Sequence, residues 1–434
     1  MCLCIFDPEF RAMAKPRLLH PVRDQVKMEA LSLDDLVDPD HLARDVWHYV
    51  CAMDLGELYD AIRSREGSAG APCFDPRVLL CLWLYATMDG VGSARRLCEL
   101  VAEHVVYRWI AGDNRINYHT LASFRSSNEA LLDRLLTASL ATLAQEGLID
   151  LANATLAHDG VRVRASAGAD SLRRRKSLEE LLAQAKARVE ELKKGGENDP
   201  PPTRGEAARQ RAARERVERL ENALRTMQTI EQDARQRTDR PKQERRISTT
   251  DPDATKMRMA NGGMNVAHNI QFTVETATRT ITGVRIATYG SDTGTLLPAM
   301  REHHARANGL PKRVLADGGF FKYSDIAELE RGGCEVLMPD KYAGSKSSAL
   351  IAKADRSIIK QWREKMATEA AKKDYVLRSS TVEYANARVR HQGLRQLTVR
   401  GRNKVRSIAL LHAIAHNIQR TVALREQASA RKAA

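Results

Sequence analysis

Three acidic side chains stand in separate segments that suit them to one chemistry: Asp159 in LANATLAHDG, Asp317 in KRVLADGGF and Glu383 in YVLRSSTVEYANARVR. Asp159 and Asp317 each follow a short apolar run, the pattern of a residue at the end of a buried strand. Glu383 lies in a basic stretch of helical pattern. Carboxylates are hard oxygen ligands that hold Mg²⁺ or Mn²⁺. Two such ions roughly 4 Å apart stabilise both the attacking and the leaving oxygen of an in-line displacement. The order strand-Asp, strand-Asp, helix-Glu therefore predicts metal-dependent phosphoryl transfer, with all three residues as metal ligands. Taken singly, an Asp-Gly pair at a strand end is more often a turn former. Joint placement on two strands of one sheet is what carries the expectation.

The surroundings of these acids are basic. VRVRASAGADSLRRRK follows Asp159 and, with Arg162 and Arg164, suits a DNA backbone. The Glu383 helix also carries Tyr375, Arg378, Asn386 and Arg390. Arg390 lies two turns on and shares the Glu383 face, whereas Arg378 lies roughly 140° around the helix. Arginines so placed grip phosphates flanking a metal-bound carboxylate; the competing reading is a surface helix laced with ion pairs. From Arg388 to the end there are eleven Lys and Arg, Arg400, Arg402 and Lys404 among them, against the single acid Glu426. Ile408, Leu411, Ala415 and Ile418 keep the spacing that buries one side of that helix. Asp251 and Asp253 in DPDA read as an Asx-type turn rather than metal ligands. His268 and Asn269 open the following strand and approach the site. The sequence holds no HExxH and no GxxxxGK[ST] run.

The elements that position these residues follow from periodicity. Residues 21–148 read as an all-α domain of short helices broken by Gly or Asn, compatible with either a helix-turn-helix module or an ordinary bundle. Residues 149–424 change to strand, with a hairpin in VAHNIQFTVETATRTITGVRIATYG and alternating α and β elements after it. That alternation predicts an α/β domain, a mixed sheet with helices packed on it. Residues 170–245 interrupt it as an insertion. Leu178, Leu182, Ala185, Val189 and Leu192, then Val217, Leu220, Leu224 and Met227, flank a Pro/Gly breaker, which predicts an antiparallel helical hairpin. Residues 425–434 form a basic tail.

At 434 residues the chain accommodates two or three domains. Its 69 Lys and Arg against 55 Asp and Glu give a net charge of +14, which favours a polyanionic partner. The seven cysteines form no CxxC pair and no zinc spacing, as expected of a reduced cytosolic protein. MCLCIFDPEFRAMAKPR is too short and too interrupted by charge for a signal peptide, and no apolar run reaches bilayer length. A soluble cytoplasmic protein with no membrane partner is expected.

Ordered blocks along residues 15–425 resemble the DDE transposases of bacterial insertion sequences, in the branch with an InsH-type N-terminal domain. The blocks are DPRVLLCLWLYATMDGVGSARRL, YRWIAGDNRINYHTLASFR, DGVRVRASAG, STTDPDATKMRMANGG, VLADGGF, WREKM, YVLRSSTVEYANA and VRGRNKVRSIALLHAIAHN. The resemblance implies an RNase H-like catalytic domain with helices on both sheet faces. Asp159, Asp317 and Glu383 would be its acidic triad, holding two Mg²⁺ or Mn²⁺ ions. It also implies cleavage and strand transfer at terminal inverted repeats, by a homodimer on double-stranded DNA. Tyr375, Arg378 and Glu383 fit the family's tyrosine–arginine–glutamate–lysine signature with one extra residue before Glu383, and Arg390 stands at the lysine position. Residues 1–20 are an unassigned extension. The competing expectation is a catalytically inactive DNA-binding protein derived from such an enzyme.

Overall fold

The computed structural model describes residues 26, 30–64, 71–194, 203–237, 246–287, 290–342 and 351–433. The extension at 1–20 lies outside the described residues. The helical first part runs α1 (Leu42–Cys51), α2 (Gly56–Asp60), α3 (Pro76–Met88), α4 (Ala94–Glu103), α5 (Val105–Ala111), α6 (Tyr118–Ser127) and α7 (Glu129–Gln145). Local chemistry sets several of these boundaries. Asp75 caps α3 by accepting the Arg77 N–H, and Pro76 occupies the first turn, where no donor is lost. Gly90 ends that segment at φ +76°, a conformation that strains other residues.

The sheet begins with β1 (Thr155–Arg164), followed by β2 (Leu172–Arg173) and the long hairpin helices α8 (Arg175–Lys194) and α9 (Arg204–Arg237). Then come β3 (Ile247–Ser248), β4 (Thr255–Arg258), β5 (Met264–Glu275), β6 (Ile281–Ala287), α10 (Leu296–Ala307), β7 (Arg313–Ala316), α11 (Tyr323–Arg331) and β8 (Glu335–Leu337). The chain closes with α12 (Arg356–Met366), α13 (Glu369–His391) and α14 (Arg402–Ala433). Residues 425–433, expected as a tail, continue α14.

In the main sheet the order is β4-β5-β1-β7-β8, with β6 also paired to β5. β1 pairs antiparallel with β5 and parallel with β7, and β7 pairs parallel with β8. The expected hairpin is β5–β6, turning through Glu275, whose carboxylate accepts the Ala277 and Thr278 N–H groups.

Helices cover both faces. Val161, Val163, Ile270, Phe272, Val274 and Val284 face α14 and the first-part helices in one continuous core. On the reverse face Leu156, Val314, Ala316 and Val336 pack on α10, α11 and α12, with Met300, Ile326 and Trp362 fully buried. α13 lies over the first face at its far side, setting Ala371 and Val382 against Ala157, Leu315 and Leu337. α8 and α9 form their own small core around Leu178, Leu220 and Met227. No helix among the described residues is long and apolar enough to cross a membrane.

Candidate active site

Asp159 does not end its strand, contrary to the reading of its apolar run. It is the fifth residue of ten in β1, which continues through buried Val161 and Val163 to Arg164 along β5. The alternation of VRVR is itself a strand pattern, and Gly160 is a strand residue rather than a turn. Asp317 follows the last residue of β7, as expected, and its Oδ1 accepts the Gly319 N–H at 2.7 Å.

Parallel pairing of β1 with β7 runs to His158↔Ala316, the residues immediately before the two aspartates. Neighbouring strands lie about 4.8 Å apart, so the register brings Asp159 and Asp317 side by side. Alternation turns Asp159 to the α13 face, away from His158. His158 is fully buried on the other side against Phe320, and burial lowers its pKa to about 4. It is therefore neutral and out of reach of a substrate.

Asp159 is three-quarters enclosed. Its Oδ1 accepts the Gly160 N–H at 2.8 Å, and its Oδ2 accepts Asn386 Nδ2 at 3.3 Å. The Arg378 guanidinium stands 4.0 Å from Oδ2 and lies over the Tyr375 ring, 5.8 Å from its centroid. Burial, seconded by the charges of Asp317 and Asp292 and opposed by the Gly160 bond and Arg378, pushes the Asp159 carboxyl up to about 6.

Arg378 and Asn386 both come from α13, which also carries Glu383. Glu383 is exposed and precedes Asn386 by one turn, about 60° round the helix. Among the described residues no three His, Cys, Asp or Glu side chains are drawn together as a metal cage. The donor set itself fits a divalent cation. Two hard-oxygen carboxylates adjoin, and the charge of one is opposed by burial and like-charged neighbours, a cost that a dication relieves.

The remaining sequence candidates are dispersed. Arg162 turns its guanidinium to the Arg258 carbonyl, and Arg400 donates to the Ser166 carbonyl at 3.0 Å. Arg164, Arg390 and Lys404 are exposed, and Arg402 opens α14 half-buried. Arg378 and Tyr375 turn inward to Asp159 rather than outward to solvent. Of the β5 pair, Asn269 lies on the face opposite the Asp159 carboxylate, whereas His268 shares the Asp159 face but meets Asp251 at 2.9 Å, both side chains fully buried.

Two roles escaped sequence reasoning. Asn386 stands one turn after Glu383, a spacing that places both near one helix face. Asp292, in GSDTG, reads as a turn residue before a helix. It instead takes Asn269 Nδ2 at 2.5 Å and Gln271 Nε2 at 2.9 Å on its Oδ1, beside Gly160.

Adjacent carboxylates, one within β1 and one just past β7, thus lie under α13, the helix that carries a third. Two family models match the chain: a transposase domain (DUF772) over residues 31–127 and a transposase DDE domain over residues 340–422. Together the two matches indicate a DDE transposase of an insertion sequence. Glu383 falls within the second match; Asp159 and Asp317 lie outside both ranges. No curated protein and no solved structure matches the chain.

Proposed function

We propose that this transposase cleaves DNA at the terminal inverted repeats of an insertion sequence and transfers the freed strand to a target. Asp159, Asp317 and Glu383 are its catalytic residues, on an RNase H-like domain, and hold two Mg²⁺ or Mn²⁺ ions. The observation that supports this best is the register of β1 on β7, which sets Asp159 beside Asp317 under the helix that carries Glu383. When bound, the metal pair supplies an activated oxygen nucleophile and charge stabilisation for the leaving 3′-oxygen.

The chain's own residues do the rest. Asn386 and Arg378 orient Asp159, and Arg378 keeps positive charge beside the scissile phosphate. Arg390, close to the Glu383 face and exposed, grips a flanking phosphate, with Arg162, Arg164, Arg400, Arg402 and Lys404 as further backbone contacts. The InsH-type helices of residues 21–148 read the repeats. Two ends must be held together, so the working form is a homodimer on DNA, in the bacterial cytoplasm.

The test is cleavage of labelled duplexes carrying the element's flanking ends, in Mg²⁺ or Mn²⁺, by wild type and Asp317→Asn side by side. Metal-dependent cuts by wild type, lost in a variant that still binds the ends, are expected. Full cleavage by Asp317→Asn would sink the assignment, and binding without cutting by either protein marks an inactive DNA-binding relative.

A further inference from the structure

Each strand-borne carboxylate folds back onto the N–H of a glycine close behind it. Asp159 Oδ1 holds Gly160 N at 2.8 Å, and Asp317 Oδ1 holds Gly319 N at 2.7 Å. The segment Asp292–Thr293, between β6 and α10, touches both glycines. A Cβ on Gly160 would meet Asn269 Oδ1 at 2.5 Å and Asp292 Oδ1 at 3.3 Å. A Cβ on Gly319 would stand 3.8 Å from Asp292 Oδ2, and Thr293 Oγ1 donates to the Gly319 carbonyl at 3.1 Å.

The segment is itself fixed. Asn269 and Gln271, nearly or fully buried on β5, both donate to Asp292 Oδ1, and Gln271 also donates to Thr295 Oγ1 at 3.0 Å. Paired residues of antiparallel strands share a face, so Gly160, Asn269 and Gln271 open to the side opposite the Asp159 carboxylate. Asp292 thus stands behind the carboxylate pair, one arm on each glycine.

We infer that Asp292 is a positioning residue for the proposed reaction, a brace whose contacts with Asn269, Gln271, Gly160 and the Gly319 loop set the spacing between Asp159 and Asp317. The inference rests on the reading of those two residues as metal-holding. It acts through them and touches neither metal nor DNA. Its two amide donors give it a distinctive signature. Asp292→Asn keeps a carbonyl oxygen for both donors and keeps the brace; Asp292→Ala removes it.

The experiment is Mn²⁺ titration of the full chain followed by electron paramagnetic resonance, with melting temperature recorded for each variant. Partners that orient metal ligands change affinity by about 10–100-fold when removed. Asp292→Ala should therefore weaken Mn²⁺ binding at least about tenfold at temperatures where it is folded, with Asp292→Asn restoring most of the loss. Gly160→Ala, whose new methyl displaces Asn269, should copy Asp292→Ala. If Asp292→Ala does not fold, Thr293→Val removes the Gly319 arm alone and should weaken Mn²⁺ binding likewise. A folded Asp292→Ala, or in its place Thr293→Val, with wild-type Mn²⁺ affinity overturns the brace and leaves the site reading standing. Wild type that binds no Mn²⁺, or binds it equally well as Asp159→Asn, overturns the site reading and the brace with it.

Discussion

The Asp159 carboxyl is pushed from 3.8 to about 6, chiefly by burial, so the folded chain favours its neutral form. The consequence for stability runs against the usual acidic residue. Its contribution is present in full below the unfolded value of 3.8 and is lost as the pH rises through about 6. Asp159→Asn, neutral at every pH, should therefore raise the stability at pH 7 by about 1–3 kcal/mol, a gain that shrinks as the pH is lowered toward 4. Urea melts at the two pH values check this, and equal stability at pH 7 would refute it. Protons and metal compete for the same oxygens, so cleavage by wild type should fall away as the pH drops below about 6. The three acids stood out in the sequence only jointly, through the order of their segments, since singly Asp159 and Asp317 read as turn formers. Asp292 did not, since its role comes from Asn269 and Gln271 on another strand, and a turn Asp looks the same whatever it faces.

Elements are held to one another here by caps that come from far along the chain. Asp253 Oδ2 accepts the Arg402 N–H at 2.9 Å, and Asp251 Oδ1 accepts the Gly401 N–H at 3.1 Å. The DPDA segment thus closes the N-terminus of α14, where free donors and the helix dipole both favour carboxylates. Reading DPDA as a turn was right locally, as the Ala254 N–H bond to the Asp251 carbonyl shows, but sequence cannot disclose a cap whose helix begins far downstream. Asp253→Ala should cost about 1 kcal/mol, measured by thermal melting, with Asp253→Asn recovering most of it. A second long-range contact is Gly393, at φ +91°, where a Cβ would come within 2.9 Å of the Gly90 carbonyl oxygen. Gly393→Ala combines a left-handed backbone with a backbone clash and should cost about 1–3 kcal/mol. Unchanged melting would mean that the two loops separate freely. The pairing of α8 with α9 and the β5–β6 hairpin were readable from period alone, because both are built from segments adjacent in sequence.

At the scale of the molecule, the helical first part and the sheet are not joined by a thin linker. α14 lies between them and contributes Ile408, Leu411, Ile414 and Ile418 to a core that includes both Leu80 of α3 and Phe272 of β5. Arg406 of α14 fastens the same junction by donating to Glu129 and Asp133 of α7 and to the Val284 carbonyl of β6. Arg306 of α10 reaches Asp133 from the other side. A shared core makes independent unfolding of the two parts costly, since either would expose apolar surface of the other. One cooperative transition across both is expected, and Arg406→Met should lower the stability by roughly 2 kcal/mol and move its midpoint down, because Glu129 loses its charged partner. Helical signal and tryptophan fluorescence report it together, as Trp47, Trp83 and Trp109 lie in the first part while Trp362 lies on the reverse face of the sheet. Two separate melts, with Arg406→Met shifting only one, would show that the junction transmits no stability. That outcome would also detach the repeat-reading helices from the carboxylates they are proposed to serve.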